Sequence, residues 1–385
     1  MKRRLRAAGL TVLPVVLVLT ACGAEPPTAA SGADTAGSAA SDWDAVYEAI
    51  EGQTGEQRTQ ALVDLAQEDG GIVRNYSSMN GEEGVALTEA FTEKYDIQVD
   101  FYRASAQSII QRVVQETDAG YDNGADVIAS NGTELVVFDR EGILEPMQNS
   151  PVFAEYPDEA IENDGAWAWT YVNYYTPVWN TELVAADEAP TTWMETLTNF
   201  GGGRCALEAK SYDWLATLTK YLMETEGMTE EEALKVIKQA ASGCEAAISG
   251  NSLVTNLVAS GEYDLVLGSY HISARQRQAD GAPVEWFPSG STLFARPNGV
   301  GVSATAPNPA GALLFAEFML SAEGAGIIAE FGRTVANPDV EVGAIPEGYE
   351  IYPVDLESVI DDLDKWQGIY DELNALTDGG CVEGC

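Results

Sequence analysis

From Ile72 to Arg140 the chain switches repeatedly between a two-residue and a 3.6-residue apolar period, and that alternation restricts its fold more than any other feature. Ile72 to Tyr76 reads as a strand. Val85, Leu87, Ala90 and Phe91 then fall at helical spacing, and Gln98 to Tyr102 returns to a period near two. Ile109 with Val113, and Ile110 with Val114, share a helical face. Asp126 to Ser130 follows as a buried strand, and Leu135 to Arg140 as a helix closed by Gly142. Strand and helix in turn predict an α/β fold, with mainly parallel sheets covered by helices on both faces. At 385 residues the chain exceeds one ordinary domain, so two such units are expected.

The second half repeats the pattern less regularly. Tyr171 to Val178 is β-rich and long enough to carry the chain from one unit to the other. Trp214, Leu218, Tyr221 and Leu222 mark a helix, and Thr229 with Glu232 forms a capping box that opens another. Tyr263 to Leu267 is a strand and Val300 to Ser303 a short return strand, after which Asn308-Pro309 begins a helix through Phe315 and Phe318. Val359, Leu363, Trp366, Tyr370 and Leu373 form a last apolar stripe.

The N-terminus specifies a compartment. Lys2, Arg3, Arg4 and Arg6 precede an apolar stretch from Ala7 to Ala21, shorter than the ~20 residues of a membrane span, so residues 1–22 read as an export signal. Leu19-Thr20-Ala21-Cys22 resembles the bacterial lipobox, which implies lipidation of Cys22 and an extracytoplasmic protein anchored to the cell membrane. Residues 23–41 are rich in Ala, Gly, Ser, Thr and Pro and read as a flexible tether, followed by a helical segment over residues 42–70. Cys205, Cys244, Cys381 and Cys385 remain, an even number suited to an oxidising setting. Of the three possible pairings, proximity favours Cys381 with Cys385, which leaves Cys205 with Cys244.

Charge and composition exclude several functions. Sixty-one Asp and Glu against 20 Lys and Arg give −41; without the four N-terminal cations the balance is 16 against 61, or −45. Such a chain repels a phosphate backbone, so no nucleic-acid partner is expected. His271 is the only histidine, no Gly-x-Ser-x-Gly elbow occurs, and no glycine-rich phosphate loop follows a strand, so the chain is not expected to be an enzyme. A secreted enzyme or a surface adhesion lipoprotein is the contrasting class.

Several colinear stretches carry a family resemblance. They include Tyr76-Ser77-Ser78-Met79-Asn80, Gln111-Arg112-Val113-Val114-Gln115-Glu116, Ala125-Asp126-Val127-Ile128-Ala129-Ser130-Asn131, Glu141-Gly142-Ile143-Leu144-Glu145-Pro146, Trp179-Asn180-Thr181-Glu182-Leu183-Val184 and Phe318-Met319-Leu320-Ser321-Ala322-Glu323-Gly324. From about Gly71 to the C-terminus the chain resembles solute-binding proteins of ABC importers, in the ferric-ion-binding branch of the type II periplasmic-binding fold. The resemblance implies two α/β lobes, each a mainly parallel sheet flanked by helices, that close on a ligand in the cleft between them. One lobe is expected from residues 71–163 and 304–385, the other from 164–303. It also implies an ABC permease and its ATPase as partners, and ferric iron with a synergistic anion as cargo rather than a cofactor. A polyamine or a phosphorylated small molecule is the alternative cargo.

In iron-binding relatives two adjacent tyrosines late in the second lobe hold the metal. Here Gly268-Ser269-Tyr270-His271 keeps the first and replaces the second, which makes Tyr270 and His271 the expected metal ligands. Met79 and Asn80 stand where some relatives carry a histidine. Ser77, Ser78 and Asn131 follow strands, where open α/β sheets place ligand loops, and Asn80 joins the expected ligand set from the loop the resemblance marks. Arg103, Trp179 and Trp214 complete the expected pocket.

Overall fold

The computed structural model describes residues 43–121, 124–200, 204–340, 348–377 and 381–383. The signal, the tether and Cys22 lie outside the described residues, as do the Cys381 side chain and Cys385. The N-terminal segment forms two helices, Trp43–Ile50 and Gly55–Glu68. They are pinned by Trp43 Nε1 donating to the Ser303 carbonyl at 3.1 Å and by a buried Arg58–Glu317 pair at 2.7 Å.

The described residues form a single 14-stranded mixed sheet. At one end Ile72–Ser77 lies between Gln98–Arg103 and Val127–Asn131, all parallel. At the other end Cys205–Glu208 pairs in parallel with Ala246–Ile248 and with Leu265–Tyr270. The predicted parallel units are therefore present, and what joins them is antiparallel. Two long strands, Trp167–Asn180 and Thr292–Ser303, pair antiparallel with each other, and each pairs antiparallel with the end next to it. The short return strand expected at Val300 to Ser303 is only the last part of the second of these. Both strands are almost wholly buried, which accounts for apolar runs too long for a half-exposed strand.

The helices start where capping chemistry predicts. Ser105 accepts from the Ser108 amide, Thr229 and Glu232 form the reciprocal box, and Asn308 caps Pro309–Leu320, whose Phe315 and Phe318 pack edge-on against Phe91 at 4.9 and 5.6 Å. The C-terminal segment is placed differently from the lobe expected for it. Residues 304–385 were assigned to the first lobe, yet helix Leu363–Leu376 packs at the far end of the sheet. There Tyr370 donates to the Glu208 carbonyl and Asn374 to that of Ala209. Strand Cys381–Glu383 then pairs with Ala246–Ile248. The stripe of Trp366, Tyr370 and Leu373 explains the position, because its apolar partners Leu222 and Ile237 belong to that end.

Candidate functional site

Each parallel end delivers the carboxyl ends of its strands to a shared cleft, and the two crossing strands form its floor. A cavity of about 370 Å³ lies there. Ser78 and Asn80 follow the first strand, Arg103 ends the second, Asn131 ends the third, and Tyr270 ends Leu265–Tyr270. Tyr171, Asn173, Arg296 and Asn298 rise from the crossing strands.

Six helices begin at this cavity: Gly81–Tyr95, Ala106–Asp118, Gly132–Arg140, Tyr212–Thr225, Asn251–Ala259 and His271–Ala279. Five of them have no side-chain cap bond, so the positive ends of their dipoles favour an anion, although the Trp214 amide in the first turn of Tyr212–Thr225 is taken by Asp213 Oδ1. Among the described residues the lining carries four cations, Arg103, Lys210, Arg296 and Arg333, against one carboxylate, Glu208. In a chain with three times as many acids as bases this reverses the prevailing charge.

These groups are held by a buried polar chain. Glu83 takes a two-pronged bond from Arg333 at 3.0 and 3.1 Å, Arg333 donates to Asn173, and Asn173 donates to Asn298 at 2.8 Å. Asn298 and Arg296 both donate to Asn131 Oδ1, and Arg296 reaches Asp213 at 3.0 Å and the Tyr175 hydroxyl at 3.1 Å. Burial opposes the charge on Arg296, but Tyr175, Asp213 and Glu134 outweigh it and keep the guanidinium protonated. Its Nε is buried without a protein partner, as is the Ser78 hydroxyl. Arg103 donates only to the Met79 carbonyl, at 3.4 Å, and has no carboxylate partner among the described residues.

The expected site residues divide in two. Ser78, Asn80, Arg103, Asn131 and Tyr270 line the cavity together. Tyr270 lies against Tyr175, with ring centroids 4.8 Å apart, and under the Arg296 guanidinium at 4.9 Å. Ser77 does not line it; its hydroxyl accepts from the Met79 amide and shapes the turn. Trp214 is core, its indole pressed so close to Gly268 that a Cβ there would sit 2.6 Å away. Trp179 lines a different, apolar cavity with Val184 and Trp286.

His271 also departs from expectation. It is 1 % exposed, meets the rings of Tyr174 and Trp286 edge-on, and finds no hydrogen-bond partner for either ring nitrogen. Tyr270 ends a strand while His271 begins a helix, so the neighbours diverge, one to the cleft and one behind it. Burial, reinforced by Arg275 and Arg333, lowers the imidazole pKa to about 3. An unfolded histidine takes its proton below about 6.5, so acid favours the unfolded chain through this residue. Between pH 7 and pH 5 the stability of the protein relative to His271→Leu should fall by about 2 kcal/mol in urea denaturation. A difference that does not change with pH would mean that His271 titrates freely in the folded state.

Arg296, Arg333, Asn173, Asn298 and Asp213 were not anticipated. The one signal for them was polar residues inside otherwise apolar strands, as in Ala295-Arg296-Pro297-Asn298. Among the described residues, no three His, Cys, Asp or Glu side chains converge as a metal site.

Comparison with known proteins agrees with this geometry. Residues 86–349 match the model of a family described as bacterial extracellular solute-binding protein. Iron uptake protein A1 of Synechocystis sp. is 26 % identical over 267 residues, covering 66 % of this chain and 72 % of that protein. Among solved structures, AfuA from Actinobacillus pleuropneumoniae, a periplasmic binding protein with fructose-6-phosphate bound, superposes with a TM-score of 0.68 at 18 % identity, covering 78 % of this chain and 98 % of its own. Iron-bound HitA from Pseudomonas aeruginosa superposes with a TM-score of 0.64 at 17 % identity, covering 78 % and 99 %. These likenesses show the periplasmic-binding fold.

Proposed function

The chain belongs to the bacterial extracellular solute-binding proteins, the solute-capturing components of ABC importers, and we propose that its cleft takes ferric iron as an anionic chelate for delivery to a membrane permease. The observation that carries this reading is the cationic lining beside a phenol. Arg103, Lys210, Arg296 and Arg333, with the helix N-termini, suit the carboxylate or phosphate oxygens of a chelating anion, and Tyr270 offers a hard oxygen donor to Fe(III). A bare ferric ion would be repelled by the same arginines, and so would a polyamine. The iron-uptake relative supports the metal.

Residues 71–163 and the far end of the sheet act as two lobes hinged on the crossing strands. A ligand bound to both favours the closed state by the difference in its affinity for the two states. The lipid on Cys22 holds the protein outside the membrane. With its only imidazole buried behind the cleft, the site has no histidine base to activate a serine and leaves its cargo unchanged.

A phosphorylated small molecule is the second reading. It is favoured by the same four cations facing one carboxylate, and by the sugar phosphate bound to AfuA. Titrating ligand-free protein with ferric citrate should raise its melting temperature and produce a visible tyrosinate-to-iron band. At a hundred times the Kd the stabilisation is about 2.7 kcal/mol. Tyr270→Phe should remove the band. A colourless protein with an unmoved transition excludes the ferric chelate; a shift with fructose 6-phosphate alone would select the phosphate ester.

A further inference from the structure

We propose that the cleft filters cargo by charge: it admits a solute with one anionic head and places the neutral or cationic remainder in a second chamber. This rests on the anionic-solute reading above. The second chamber, about 540 Å³, adjoins the first and shares Asn80, Ser252 and Ser273 with it. Its charge is the reverse of the first. Glu82, Glu83, Asp280 and Glu330 face it against Arg277 alone. Glu83 is already tied to Arg333, and Asp280 to Arg277 at 3.2 Å, but Glu82 and Glu330 have no cationic partner among the described residues.

Ser273 independently marks the chamber as built for a ligand. It is 6 % exposed, it faces both chambers, and its hydroxyl makes no hydrogen bond within the described residues. The residue is otherwise enclosed, so its hydroxyl opens to the cavity, where a ligand or water must supply its partner. Asn80, which precedes helix Gly81–Tyr95, faces both chambers, and the first turn of that helix carries Glu82 into the acidic one, so the two chambers meet at the start of one helix. A phosphate or chelate seated among the arginines therefore projects its remainder towards free carboxylates. Hydroxyls and ammonium groups are accepted there, and a second phosphate is repelled.

The test is calorimetric titration of the full chain with fructose 6-phosphate, glucosamine 6-phosphate and fructose 1,6-bisphosphate. The amine should bind tightest, and the bisphosphate at least about tenfold more weakly than the monophosphate. In the double variant Glu82→Gln, Glu330→Gln, both exposed positions, that spread should shrink below about threefold. Equal affinity for mono- and bisphosphate, or an order unaffected by the double variant, overturns the proposal. Arg103→Gln, in the first chamber alone, should weaken all three ligands alike. If it leaves them unchanged, or if none of the three binds, the anionic-solute reading falls for these ligands, and the filter with it.

Discussion

Arg296→Ala should abolish cargo binding and destabilise the fold by about 3 to 5 kcal/mol, the cost of leaving a buried charge without its partner. Asp213 is 2 % exposed, and its carboxylate accepts from Arg296 on one oxygen and from Tyr175 on the other. Removing the guanidinium leaves Asp213 with neutral donors, and takes from Glu134 the cation that offsets its burial, which already pushes that carboxyl upward. The effect on binding comes from geometry as well as charge. The fork holds Asp213 on one side and Asn131 on the other, so the guanidinium that lines the cavity is fixed before a ligand arrives. Arg296→Lys separates the two contributions. An ammonium can neutralise Asp213 but cannot also reach Asn131 and the cavity, so much of the stability should return while affinity for ferric citrate or fructose 6-phosphate stays at least about tenfold reduced. Urea denaturation and calorimetry read the two effects separately. A folded alanine variant with native affinity would remove Arg296 from the site.

How much of this could be read from sequence depended on the range of the interactions. The parallel units were legible because each strand and helix declares itself within about fifteen residues, through period and caps such as Thr229 with Glu232. Ser78 and Asn131 were legible because residues at the carboxyl ends of parallel strands share one edge whatever the rest of the chain does, whereas Tyr270 and Asn80 came from the family resemblance. The polar chain under the cleft was not, because its partners are far apart in sequence: Glu83 meets Arg333 across 250 residues, and Asn131 meets Arg296 across 165. Nothing local distinguishes an arginine that will be buried and paired from one that will remain in solvent. His271 shows the opposite limit. Sequence placed it next to Tyr270, correctly, but the change from strand to helix between them turns neighbours in the chain into neighbours of different compartments. Trp179 and Trp214 went to apolar surroundings, the usual place for large aromatic rings.

Replacing Cys205 and Cys244 together with alanine should cost about 4 kcal/mol, because the bridge between them closes a 39-residue loop whose freedom returns in the unfolded chain. That loop contains helices Tyr212–Thr225 and Glu230–Ala241, and the bridge fastens the start of strand Cys205–Glu208 to the segment entering Ala246–Ile248, its parallel neighbour. A parallel pair cannot be joined by a tight turn, so the strands must meet through a long excursion, and the covalent tie removes most of that search. Both sulfurs are in the core, at 3 % and 0 % exposure, so reductant should act slowly on the folded protein and quickly once it opens. The double variant should melt several degrees lower and unfold at lower urea concentration. Its cargo affinity at 25 °C should be close to native, since Asp213 in the enclosed helix is positioned by Arg296 and Tyr175 rather than by the bridge. A stability loss below about 1 kcal/mol would show that the unfolded loop is already restrained without the disulfide. Native stability with impaired binding would instead make the bridge a part of the cleft's own geometry.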